Sequence, residues 1–194
     1  MDDRRLVSMV HREVTMMPLE QQAVSLVEFE VDVVPSLVQT GDYARAVARS
    51  IDIPSEHVES WVEARLMRQF VLTKDNPPWL DMILDEALLR RVVGDHKVMA
   101  RQLRAILEAA DRPNVELRVA PSTPAGLDFG YYFIAADQHQ WVAYLEGPTS
   151  VVIVGDDPDV EPFRQRNSRL NRIALDPAKS ADVVAAHARE HERA

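Results

Sequence analysis

Four apolar runs follow one another between Val115 and Asp156: VELRVAP, FGYYFIAAD, QWVAYLEG and TSVVIVGD. They are rich in β-branched and aromatic residues, and Gly, Pro, Asp and a Gln-His pair separate them as turn material. Val115, Leu117 and Val119 alternate with Glu116 and Arg118, the mark of a half-buried strand. The middle runs read as an antiparallel meander. Before and after them the pattern is helical, so the chain is expected to be α+β, with helices packed on a small antiparallel sheet formed mainly by the second half.

The helical segments carry their own punctuation. Thr40 reads as an N-cap with Asp42 in the first turn, opening a helix to about Ser50 that keeps Tyr43, Ala46 and Val47 on one face. Pro54 and Ser55 start a second helix, in which Val58, Val62, Leu66 and Phe70 recur every fourth residue. On its adjoining face Trp61, Arg65, Arg68, Gln69 and Leu72 place two guanidiniums beside apolar surface, where they need acceptors if covered. Trp79 to Leu84 reads as a strand turning into a short helix at Asp85 and Glu86, whose carboxylates are the expected partners of Arg65 or Arg68. Gly94 and Asp95 open another helix, and Asp176 with Pro177 splits the last segment into two more. Between Leu19 and Val34 two periods compete: Gln21 to Val27 suits a helix, while Phe29, Val31 and Val33 alternate with Glu28, Glu30 and Asp32. Helix is the expected outcome there, with a break before Pro35.

The 194 residues suit a helical N-terminal extension over 1–18 and a single α+β domain over 19–194 with C-terminal helices. The N-terminal stretch lacks an uninterrupted apolar core, so a cytoplasmic protein is expected, and no apolar run approaches a membrane span. Without cysteine there is no thiolate chemistry and no disulfide frame. A formal charge of −9 argues against direct nucleic-acid binding, which rests on Lys and Arg neutralising phosphates.

Catalytic signatures are absent. None of the six glycines belongs to a phosphate-cradling or dinucleotide motif, so no cofactor is expected. His187 and His191 have the i, i+4 spacing of a zinc pair but no identifiable third ligand, and HAREHER reads as a solvated helix end, so no metal is expected either. Tyr131, Tyr132, Tyr144 and Glu146 would line a pocket opposite Arg65 and Arg68 if the open sheet face were hollow; otherwise the tyrosines fill core.

Taken in order, VVPSLVQTGDYARAV, VEARLMRQFVLT, LDEALLRRVVG, VMARQLRAILEAADRPNVELRVAP, FGYYF and VAYLEG form a series. Over roughly residues 20–180 it resembles the C-terminal effector domain of actinobacterial helix-turn-helix regulators, an antitoxin-like transcriptional regulator family built on a domain of unknown function. Pro35, Leu37, Gln39, Thr40, Asp42 and Tyr43 match the first motif, where glycine is more usual than Ser36. Arg65, Arg68 and Gln69 match the RxxRQ helix, Glu86 and Gly94 the third motif, and Tyr144 and Glu146 the last strand. The resemblance implies a regulatory domain that binds a small molecule, a small partner protein or a second copy of itself. Its candidate contacts are Gln39, Asp42, Tyr43, Arg65, Arg68, Gln69, Glu86, Tyr144 and Glu146, and the family's DNA-reading helix-turn-helix has no room before residue 20. The competing expectation is a stand-alone enzyme on the same scaffold, with Glu86 or Glu146 as acid/base and Arg65 or Arg68 holding an anion.

Overall fold

A computed structural model describes residues 16–121, 130–135, 141–146, 151–155 and 157–194, with the backbone alone for 145, 146, 151–154 and 157. The expected extension over 1–18 therefore lies outside the described residues up to residue 15. Residues 16–22 are helical and make up the described part of α1. Strand β1 (Ser25–Glu30) follows directly, so the helix expected between 19 and 34 is corrected to helix as far as residue 22 and then a strand. The reason is tertiary. β1 lies inside the sheet, parallel to β2 (Trp79–Asp85) and antiparallel to β4 (Tyr131–Ala135), and both its faces are covered. Pairing on two sides decides the outcome where the local periods compete.

The class is α+β, and four of the six strands, β3 (Val115–Ala120), β4, β5 (Trp141–Glu146) and β6 (Val151–Val154), lie in the second half. The sheet order is β3-β2-β1-β4-β5-β6. Its second half is the expected antiparallel meander, but β1, β2 and β3 are mutually parallel, so the sheet is mixed rather than antiparallel throughout. Parallel pairs need crossover segments, which the helical stretches after β1 and β2 provide. These are α2 (Gly41–Ser50) and α3 (Val58–Arg68) in the first crossover, and α4 (Glu86–Arg90) and α5 (His96–Ala110) in the second.

Two cores flank the sheet. On one face Leu26, Leu80, Met82, Leu84, Leu117 and Ile134 pack with residues from α2, α3, α5 and the C-terminal helix α7 (Pro177–Arg193). On the other, Phe29, Ile83, Tyr131 and Phe133 pack with Val160 and Leu170 of α6 (Asp157–Ile173). The edge of β3 is closed by α7 and its approach: Leu175 N–H donates to Val119 O, and Val119 N–H donates to the Ser180 hydroxyl, both at 2.9 Å. A strand edge covered in this way presents fewer open backbone groups to another chain.

The Thr40 cap and the helix starts at Asp95 and Asp176 stand where the sequence places them, and all three side chains cap their helices. Thr40 accepts from Tyr43 N–H, Asp95 from Val98 N–H and Asp176 from Lys179 N–H. Phe70 does not join the buried stripe of α3, being 64% exposed. Each step of four residues drifts by about 40° on a 3.6-residue helix, so three steps from Val58 carry Phe70 off the buried face of Val58, Trp61, Val62, Arg65 and Arg68. The solvated end expected for α7 is also corrected, because His187 and His191 are buried against α4 and α5. His191 Nε2 donates to Leu89 O, which only accepts, and its Nδ1 lies 2.9 Å from His96 Nδ1.

Candidate functional site

Charged side chains gather inside the apolar layer between the sheet and the helices. Arg68, in the last turn of α3, turns its guanidinium toward α1. Its Nε lies 3.2 and 3.0 Å from the two oxygens of Glu20, and its Nη2 lies 2.6 Å from Oε1. Tyr132 OH donates to that same Oε1 at 3.0 Å. Glu20 is 1% exposed and Arg68 7%, so the ion pair is screened from water on both sides. Such a pair stands only with good geometry and further hydrogen bonds, and here two rigid elements supply three donor atoms.

The sheet continues the cluster. Glu28 of β1 stands opposite Tyr132 of β4, which stands opposite Tyr144 of β5, and all three are buried in one cross-strand row. Burial, and after it the nearby Glu20 and Glu28 carboxylates, hold the Tyr132 phenol well above its ordinary pKa. It therefore remains a hydrogen-bond donor across the accessible pH range. One turn earlier on α3, Arg65 lies 4.0 Å over the Trp61 ring, and its Nη1 donates to Gln39 Oε1 at 3.4 Å.

Most of the QTGDY signature serves the backbone. The segment from Val34 to Thr40 is largely buried but belongs to no sheet, so its polar groups need side-chain partners. Val34 N–H donates to Tyr43 OH, and Gln39 Nε2 donates to Val34 O. Gln69 Nε2 donates to Ser36 O and Gln39 O. Gln102, from the middle of α5, accepts from Thr40 N–H and donates to Val38 O. Burial drives the Tyr43 phenol up to about 12, so this hydroxyl too stays protonated.

The nine sequence-selected residues thus fall into separate groups. Gln39, Tyr43, Arg65 and Gln69 meet around the 34–40 segment, while Arg68 and Tyr144 belong to the charged row. Asp42 lies at the surface, bridged to Arg45 and Arg101. Glu86 is held by Arg90 and faces His187 Nε2 at 3.5 Å. Glu86 is not the carboxylate that meets Arg68: Glu20 takes that role, while Asp85 caps α4. Glu146 lies on β5 opposite Val151, and its side chain is outside the described residues. Glu20, Glu28 and Gln102 were not selected. Gln102 had one available signal, a polar side chain between Met99, Leu103 and Ile106 on the inward face of α5.

Residues 14–186 match the family model described as "Domain of unknown function (DUF5753)". No curated protein and no solved structure matches the chain.

Proposed function

The chain belongs to the DUF5753 family, and we propose that it is the regulatory, ligand- or partner-binding domain of an antitoxin-like transcriptional regulator, with DNA reading left to a separate helix-turn-helix. The observation that carries this reading is the buried junction of Glu20, Arg68 and Tyr132, which ties α1 to the sheet through charge. Apolar residues of similar volume hold a helix to a sheet at least as well, and buried ion pairs are best attested where they set register or act as a switch. A ligand or partner that interacts differently with the docked and undocked states of α1 would shift the balance between them, and a module attached near α1 would sense the change. The acidic balance of the chain supports a role other than direct phosphate binding.

Native mass spectrometry of the purified chain tests this reading. A retained organic mass or a specific assembly, weakened in Arg65→Lys and Tyr144→Phe, is the expected result. A bare monomer whose stability responds to no small molecule or partner protein would contradict it. The enzyme alternative draws no support from Glu86, whose carboxylate is engaged by Arg90 and His187.

A further inference from the structure

We propose that Arg68 and Tyr132 form a receptor for a monocarboxylate, that Glu20 occupies it as an internal ligand, and that a small external carboxylate taking Glu20's place releases α1. This rests on the regulatory reading above and names the ligand class of the same site. Three donor atoms, Arg68 Nε and Nη2 and Tyr132 OH, converge on one carboxylate. The guanidinium fork and the phenol together fit a planar two-oxygen anion.

The receptor and its occupant differ in how firmly they are built in. Arg68 closes an eleven-residue helix whose Val58, Trp61 and Val62 are buried in the core, and Tyr132 sits in a strand paired on both sides. Glu20 arrives on α1, outside the sheet, and among the described helical residues 16–22 only Met16 and Glu20 are buried. Beyond the ion pair, α1 is attached by buried Met16, by partly buried Leu19 and by Lys74 Nζ donating to Gln21 O at the surface. Few buried apolar contacts among the described residues therefore oppose its local opening.

Opening α1 with nothing in exchange would strip Arg68 and Tyr132 of an acceptor that both require. A carboxylate entering as Glu20 leaves restores the same three contacts, so the exchange is close to balanced and a modest affinity can tip it. Charge sets the class. Glu28 is buried across the strand from Tyr132, and its carboxylate as well as that of Glu20 acts on the phenol, so a dianion such as phosphate meets more repulsion there than a monoanion does.

Glu20→Ala removes the internal ligand, and propionate has the shape of the atoms deleted. At constant ionic strength against chloride, propionate is expected to bind this variant saturably. At about a hundred times its dissociation constant it should raise Tm by about 5–10 °C, while propionamide leaves Tm unchanged. In the unsubstituted chain, propionate should speed hydrogen exchange of the 16–22 amides at least tenfold without affecting β4. If Glu20→Ala does not fold, the isosteric Glu20→Gln replaces it, and propionate should then release α1 at a lower concentration than in the unsubstituted chain. Propionate acting no differently from chloride in the variant would overturn the proposal, and so would saturable binding that leaves α1 exchange unchanged. A negative result here together with a retained non-carboxylate ligand in the native spectrum would remove the carboxylate and keep the regulatory reading.

Discussion

Thr40 and Gln102, sixty-two residues apart, are joined by a 2.7 Å hydrogen bond from the Thr40 backbone to the Gln102 side-chain oxygen. The same amide donates to Val38 O at 2.8 Å, so one side chain of α5 closes both backbone groups at the entry to α2. Gln102 is 0% exposed, and no water can replace it without opening the core. Gln102→Leu should therefore cost about 2–4 kcal/mol, since it orphans two buried backbone groups at once. Urea unfolding measures this, and a loss below about 1 kcal/mol would show that the loop finds other partners.

Asp81 gives a pH dependence of definite sign. Its Oδ1 is buried without a hydrogen-bond partner, and it stands opposite Glu116 in the parallel β2–β3 pair. Burial first, and then the Glu116 charge, lift its pKa from 3.8 to about 6, with Arg118 partly opposing. Between these values the folded chain holds a proton that the unfolded chain has lost, so this residue's contribution to stability falls as pH rises through the window and is level above it. Asp81→Asn should stabilise the protein at pH 8 by at most about 3 kcal/mol, less as far as water reaches the carboxylate, and should do nothing below about pH 4. Thermal or urea unfolding across this range decides it, and a constant difference at all pH values would rule out titration as the cause.

What the sequence made legible was local. The cap at Thr40 and the helix starts at Asp95 and Asp176 depend on one side chain and the next turn, and the meander on closely spaced strands, so both could be read directly. β1 was not legible because its neighbours come from residues 79–84 and 131–135, and alternating Glu28 and Glu30 resemble a solvated face. The parallel half of the sheet was hidden for the same reason, since strand order is set by packing between distant segments. At the site, the adjoining face of α3 announced two arginines that would need acceptors. Two of their acceptors were not visible: Glu20 lies 48 residues from Arg68 and Gln39 lies 26 from Arg65, on elements that no spacing rule connects.

Gly94 has φ of +75°, and a Cβ there would stand 3.1 Å from Ala46 Cβ of α2. Side chains rarely adopt this backbone conformation, and the neighbouring methyl offers little room to yield. Gly94→Ala should lose about 1–2 kcal/mol of stability while leaving the Glu20–Arg68 junction intact. A scanning-calorimetry comparison checks it, with an unchanged Tm as the contrary result.

A net charge of −9 predicts no measurable binding of duplex DNA by this chain at about 0.15 M salt. Fluorescence anisotropy with a labelled duplex is sufficient. Binding with a steep salt dependence would show a basic surface able to overcome the overall charge.

Hydrogen exchange of the α1 amides, compared between the unsubstituted chain and Glu20→Gln, tests the account most directly. Removing the charge while keeping the shape should speed exchange over residues 16–22 at least tenfold and leave the protection of β4 and of the buried turns of α3 unchanged. Equal protection of α1 in the two proteins would contradict the claim that the buried Glu20–Arg68–Tyr132 junction is what holds this helix to the sheet.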